Sequence, residues 1–218
     1  MVKLIQGTVI SKDKKMIHKV TGATTVQSSN LNEELGQVEY VFSDKTGTLT
    51  QNYMEFRKLI ANAVPYGDDR SLDNLNGFPE VTNVNFRDAN FYRNLKNGEK
   101  SLIDYLFSLA LCHTIITETK NGEIEYNASS PDELALANFA RFSGCKFVGI
   151  DEDNNMMVEF REKQYKYKLL QVLEFNSKRK RMSVILENPE GEVILYCKGA
   201  DSLIIERMDE SKNPSLKQ

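Results

Sequence analysis

Apolar and polar positions change their period several times along the chain, and those changes divide it. Residues 1–30 are polar, rich in Lys, Thr and Ser, without a sustained period, and read as a connector. The segment LNEEL (31–35) predicts a short helix that Asn30 can cap and that Gly36 can end in the left-handed conformation. VEYVFS (38–43) then predicts a strand. The run 53–64 is β-prone. Residues 65–86 are rich in Asn, Gly, Pro and Asp without periodicity, which marks a surface insertion with little functional content.

From Arg87 to Thr114 apolar residues recur at helical spacing: Phe91 and Leu95, then Leu102, Tyr105, Leu106, Leu109 and Ala110. The Asn97-Gly98 turn breaks this run, which predicts a helical hairpin. TIITETKNGEIEYN alternates around a second Asn-Gly pair, the strongest short signal for a β-hairpin. SSPDELALANFARFSG then carries the marks of a helix, with Ser130 as cap, Pro131 at its first position and Gly144 beyond its end. From residue 146 onward, KFVGI, NNMMVEFRE, QYKYKLLQVLEF, KRMSVILEN and EVILYCK are short strands. Several of the links between them are too short for a crossover helix, so the sheet is antiparallel. A last amphipathic helix over 200–208 and a fraying tail complete an α+β fold, an antiparallel β-sheet flanked by helical hairpins.

Composition adds mostly exclusions. With 40% hydrophobic and 27% charged residues the chain is neither disordered nor fibrous, and 28 Lys plus Arg against 31 Asp plus Glu leave a net charge of −3. That balance gives no argument for nucleic acid or an acidic membrane surface as partner. Three widely spaced cysteines (Cys112, Cys145 and Cys197) and two histidines make a disulfide framework or a zinc site improbable and fit a reducing compartment. The longest apolar stretch, Leu102 to Ile116, is interrupted by Asp104, Ser108 and His113, so no segment spans a bilayer.

The chemistry concentrates in DKTGTLT at 44–50. Such a string arises by chance on the order of 10⁻⁸ to 10⁻⁹ per position at average residue usage, so an ordinary polar turn is a poor explanation. Asp44 would stand at the carboxyl end of the strand 38–43, where open α/β sheets place ligands. A carboxylate flanked by Lys45, by the hydroxyls of Thr46 and Thr48, and by Gly47, where backbone can approach a ligand, suits a nucleophile that attacks phosphorus.

This string is the signature of the P-type ATPases. Together with SNLNEELGQVEYVFSDKTGTLT, LCHT, SSPDELAL, LEFNSKRKRMSV and YCKGAD, in order and roughly in spacing, it makes the chain resemble the type IV branch, the phospholipid flippases. The resemblance runs from about Ser29 to Arg207. It implies that Asp44 accepts the γ-phosphate of ATP as an aspartyl-phosphate, with Lys45 and Thr46 beside it, and that Asp44 and Thr46 take part in holding Mg²⁺. Related phosphatases carry a general acid–base Asp two residues after the nucleophile. Thr46 stands there instead and cannot transfer that proton at neutral pH, which gives a long-lived phosphoenzyme.

For the nucleotide, the resemblance implies Phe175 stacked on adenine, Glu133 at its amino edge, Lys198 closing the pocket, and Ser177 and Lys180 near sugar and phosphates. The residues alone offer competing readings. An unplaced Phe is usually core, four consecutive cations (Lys178 to Arg181) are usually a solvated face, and His113 is more often structural than a base. Strand alternation sends only two of the four cations to one face, where they can meet phosphates, and leaves the others solvated.

The Gly-Asp-Gly-x-Asn-Asp segment, the Asp-Gly-Glu-Thr loop and the membrane helices of such pumps do not occur in the sequence. The expectation is therefore the cytoplasmic portion of an integral membrane protein. Residues 1–52 would be a membrane-exit connector with the start of the α/β phosphorylation domain, 53–210 the nucleotide-binding domain, and 211–218 a tail toward the hinge. Such a piece binds ATP without turnover, while its parent moves phospholipid and takes an accessory β subunit. The alternatives are a stand-alone nucleotide-binding or regulatory module and a piece of a metal-ion pump.

Overall fold

The computed structural model describes residues 2–28, 32–67, 81–120 and 122–209. The chain divides into two compact units, Met1–Gln51 and Asn52–Gln218.

The first unit holds helix α1 (Val2–Lys12), a 3₁₀ turn at Lys14–Met16 and the short helix α2 (Asn32–Leu35). Helix α1 stands where a connector was expected. None of its residues is buried, so neither packing nor a clear stripe announced it. The cap expected at Asn30 lies outside the described residues. Gly36 is not in the left-handed region, so α2 ends without the expected glycine cap. The strand expected at 38–43 does not form. Its apolar side chains stand in solvent, Phe42 at 96% exposure, and no strand of the described residues pairs with it. A β-prone sequence becomes a strand only when a partner takes up its amides and carbonyls.

The second unit begins with the small hairpin β1 (Leu59–Ala61) and β2 (Val64–Tyr66). Helices α3 (Ala89–Lys96) and α4 (Lys100–Leu111) form the expected helical hairpin, with Gly98 left-handed in the turn between them. The hairpin β3 (Ile116–Lys120) and β4 (Glu123–Asn127) leads to α5 (Pro131–Phe142), which Gly144 follows in the left-handed conformation. Strands β5 (Cys145–Ile150), β6 (Asn155–Phe160), β7 (Lys163–Leu173), β8 (Arg181–Glu187) and β9 (Val193–Gly199) form one antiparallel sheet in sequential order. Helix α6 (Asp201–Ile205) is shorter than the span 200–208 suggested. The expected tail, 211–218, lies outside the described residues.

The core of this unit lies between the helices and the inner face of the sheet. Met182, Val184 and Leu186 of β8 are buried there, as the alternation along that strand requires. Fully buried Phe139 of α5 stacks on Phe56 with centroids 3.7 Å apart, and Phe86 and Phe91 close around the pair. Phe86 belongs to the segment expected to be a surface insertion, and that expectation fails at both ends. Residues 64–66 are strand, and Asn83 and Phe86 are buried. Phe56 exchanges backbone hydrogen bonds with Asn83 and Asn85 at 2.8 and 2.9 Å, so an edge of the supposed loop is structural. Residues 68–80 lie outside the description.

No helix of the described residues is long and apolar enough to cross a membrane.

The amides of Glu39 to Ser43 donate no backbone hydrogen bond among the described residues. Hydrogen exchange followed by NMR should find them exchanging at nearly random-coil rates, while β8 amides are protected. Protection of 39–43 by more than about a hundredfold would refute this assignment.

Candidate functional site

A cleft of about 1130 Å³ opens in the second unit between the N-terminal turn of α5, the end of β9 and the β7–β8 connection. Glu133, Phe175, Ser177, Lys180 and Lys198, five residues singled out in the sequence, all line it. Met54, Glu55 and Phe56 supply the far wall, and Thr114 joins from the α4–β3 turn. The sequence pattern gave no sign of that wall, because its shape depends on the pairing of Phe56 with residues 83–85.

Phe175 follows the end of β7 and is 64% exposed. The ring therefore takes no part in the core, and its face is open to a ligand at the rim of the cleft. The four cations beside it do not lie along a strand, which corrects the expected two-and-two division. Residues 177–179 turn, Lys180 adopts φ +48°, and β8 starts only at Arg181. The Arg179 guanidinium folds back to the Glu174 carbonyl and that of Arg181 to the Arg179 carbonyl, both at 3.1 Å. Of the four, Lys180 alone lines the cleft.

The centre of the cleft is an ion pair. Glu133 Oε1 accepts from Lys198 Nζ at 2.9 Å, and Oε2 accepts from the Thr114 hydroxyl at 2.9 Å and the Thr114 amide at 3.4 Å. Burial raises the Glu133 carboxyl, but the hydrogen bond and charge of Lys198 together with the two bonds from Thr114 outweigh it. The group is held below the usual carboxylate range and stays ionised. Lys198 is carried into place by Gly199. A Cβ there would lie 2.6 Å from the Lys180 carbonyl oxygen and 2.7 Å from Arg181 Cα, so only glycine lets β9 close on the 180–181 backbone.

His113 sits just past α4, buried against Phe147 with ring centroids 4.5 Å apart. Its Nε2–H donates to the Ala110 carbonyl at 2.8 Å and its Nδ1 accepts from the Ile115 amide at 3.2 Å, a neutral imidazole satisfied at both nitrogens. It is structural. Cys112 and Cys145 are buried, and burial pushes the Cys112 thiol up to about 11, which leaves it unreactive at neutral pH.

Asp44, Lys45 and Thr46 lie in the first unit and are exposed. Gly47 at φ +78° turns the chain there, and the loop closes through the Thr50 amide on the Lys45 carbonyl at 3.1 Å. Asp44 precedes a tight loop and follows an extended segment rather than the paired strand expected there. No group of three or more His, Cys, Asp or Glu able to hold a metal occurs among the described residues.

Comparison with known proteins decides the family. The family model described as P-type ATPase, cytoplasmic domain N, matches residues 101–214, which include the cleft's ion pair. The chain belongs to the P-type ATPases. Within that family it is 39% identical over 232 residues to phospholipid-transporting ATPase IC of Homo sapiens, covering 100% of this chain and 18% of that protein. It is 40% identical over 232 residues to phospholipid-transporting ATPase ID of Homo sapiens, covering 99% and 19%. To phospholipid-transporting ATPase DRS2 of Saccharomyces cerevisiae it is 41% identical over 222 residues, covering 98% and 16%. These relatives carry the phospholipid-transporting name of the type IV branch that the sequence resembles. The chain spans less than a fifth of their length.

Two outcomes follow from this geometry. Gly199→Ala should lower the stability of the second unit by about 1–3 kcal/mol, because the new methyl meets backbone on both sides. An unchanged urea midpoint would contradict the close approach. Burial also lowers the His113 imidazole from 6.5 to about 4. The unfolded chain takes up that proton near 6.5 and the folded chain only near 4, so the stability conferred by neutral His113 is complete above the first value. It is lost as pH falls toward the second, at up to ~1.4 kcal/mol per pH unit. Urea midpoints between pH 7 and 4.5 should show this slope in the parent and a smaller one in His113→Asn; equal slopes would overturn the assignment.

Proposed function

We propose that the cleft binds ATP, and that the chain is the nucleotide-binding portion, with its phosphoryl-accepting loop, of a phospholipid-translocating P-type ATPase. The observation that carries this reading is the convergence of five residues, from Glu133 to Lys198, on one cleft whose rim presents an exposed aromatic ring. Stacking of a base on such a ring is worth about 1–3 kcal/mol. Adenine on Phe175 would turn its amino group toward the Glu133 carboxylate. Lys198, paired with Glu133, would close the pocket, and Ser177 and the Lys180 ammonium would meet sugar and phosphates.

In the parent pump, an Asp44 carboxylate oxygen would bond to the γ-phosphorus as the bond to the β–γ bridging oxygen breaks and ADP departs. Lys45 would offset charge on the transferring group. Thr46, with a hydroxyl in place of a carboxylate, would not activate water against the resulting acyl phosphate. Mg²⁺ takes hard oxygen ligands and commonly binds through one or two carboxylates together with phosphate oxygens. One Asp and a neighbouring Thr fit that mode, in which the phosphates bring most of the ligands, better than a closed protein cage. The cation would supply charge neutralisation at the phosphates.

Phospholipid as the transported substrate, an accessory β subunit and attachment to a membrane belong to the longer parent in this reading. The chain by itself binds nucleotide and turns nothing over.

ATP should bind with Kd on the order of 10⁻⁴ to 10⁻³ M, about 4–5 kcal/mol. NMR titration of Phe175→Ala should show affinity lower by about fivefold or more. Equal affinity in parent and variant would sink the placement of adenine.

A further inference from the structure

Helix α5 breaks a local rule at the cleft. Its start reads Ser130-Pro131-Asp132-Glu133, the pattern of a capping box, in which the cap side chain bonds the third helical amide and the Glu reaches back to the cap. Neither half of that box is made. Ser130 makes no side-chain cap bond. The Glu133 carboxylate turns away from its own helix, to Lys198 on β9 and to Thr114 after α4. A helix that gives up its own cap at a ligand-sized cleft marks a carboxylate placed for another purpose.

Two different elements fix that carboxylate, and they differ in what they do. Lys198 is an ammonium on a flexible stem, 26% exposed at its side chain, and can change rotamer within the cleft. Thr114 is short, and its backbone is held from below. His113 bonds both the Ala110 carbonyl and the Ile115 amide, and the Cys112 thiol reaches the Tyr196 carbonyl on β9 at 3.6 Å. The hydroxyl and amide of Thr114 both donate to the same oxygen, Oε2. This is the rigid half of the carboxylate's setting.

We propose that Thr114 is a positioning residue that orients the Glu133 carboxylate and thereby sets the preference of the cleft for a purine with a 6-amino group over one with a 6-keto group. The specificity half rests on the reading that adenine enters this cleft. A carboxylate only accepts hydrogen bonds. Held in one orientation it receives the N6–H of adenine, whereas the 6-keto oxygen of hypoxanthine brings acceptor against acceptor. Without the Thr114 hydroxyl only the long amide contact at 3.4 Å remains on Oε2, and the carboxylate can rotate with Lys198 and present the ammonium to a keto oxygen instead. Discrimination then falls without loss of the cleft.

The test uses the full 218-residue chain as parent, Thr114→Val, Thr114→Ser, Glu133→Gln and the Thr114→Val/Glu133→Gln double variant. Thr114 is exposed and Val is nearly isosteric, so Thr114→Val should fold. Affinities for ATP and inosine triphosphate are read by NMR titration, and urea midpoints are read without nucleotide. Thr114→Val should lower the ATP-to-inosine-triphosphate preference by about threefold or more, Thr114→Ser should restore it, and Thr114→Val should add nothing in the Glu133→Gln background.

An unchanged preference in Thr114→Val, no rescue by Ser, or an equal effect in both backgrounds would overturn the proposal. The urea cycle tests the contact alone: non-additive midpoints support the clamp on Glu133, and additive ones refute it. Should the parent bind neither nucleotide, the ATP reading and the preference claimed here fail, and the urea cycle still decides whether Thr114 holds Glu133.

Discussion

The stack of Phe56 on Phe139, 3.7 Å between centroids, is the contact on which the second unit's geometry turns. Phe139 lies on α5, and Phe56 lies on a segment that no sheet of the unit incorporates. The ring contact and the backbone bonds to Asn83 and Asn85 give that segment a fixed place. One ring thus serves two surfaces, since Phe56 packs on the core and also lines the cleft. The edge-to-face contacts of Phe86 with Phe139 and Phe91, at 4.9 and 5.0 Å, add about 0.5–1.5 kcal/mol each beyond the area they bury. The larger effect is that the helix carrying Glu133 and the wall facing it cannot shift independently.

Around this core the cleft divides its chemistry by burial. Glu133 is buried, so its charge is held by named partners rather than by water. Phe175 and Lys180 stand at the exposed rim, where contacts with a ligand displace solvent without unsettling the core. Three locally unfavourable features lie at the cleft, the unmade capping box, the left-handed Lys180 and a glycine that backbone contacts leave no room to replace, while other left-handed residues such as Ala63, Arg161 and Glu162 sit in turns elsewhere. Deviations of this kind collect at functional sites because only the surrounding fold keeps them populated.

Much of the second unit was legible in the sequence because its signals are local. Alternation in β5 to β9, the Asn97-Gly98 turn and the Pro131 start of α5 each follow from a few neighbouring residues. The five cleft residues were legible through family resemblance. What escaped depended on partners distant in sequence. Val38 to Ser43 has the composition of a strand but, among the described residues, no strand to pair with. Residues 83–86 have the composition of a loop, yet Phe86 and Asn83 find places prepared by Phe56 and Met54. Thr114 looked like any residue after a helix, since its partner lies nineteen positions away.

The ends of the segment between β2 and α3 are tied down side by side. Asp88 caps α3 through one oxygen at 2.8 Å from the Phe91 amide and holds the Gly67 amide with the other at 2.9 Å. At the far end, the Asn83 side chain donates to the Met54 carbonyl at 2.8 Å. Gly67 and Asn83 are thus each fixed by a contact of their own, one to the cap of α3 and one to the chain that walls the cleft. The fold thereby makes one helix cap, Asp88, and one side-chain amide, that of Asn83, couplings through which α3 and the cleft wall keep their places.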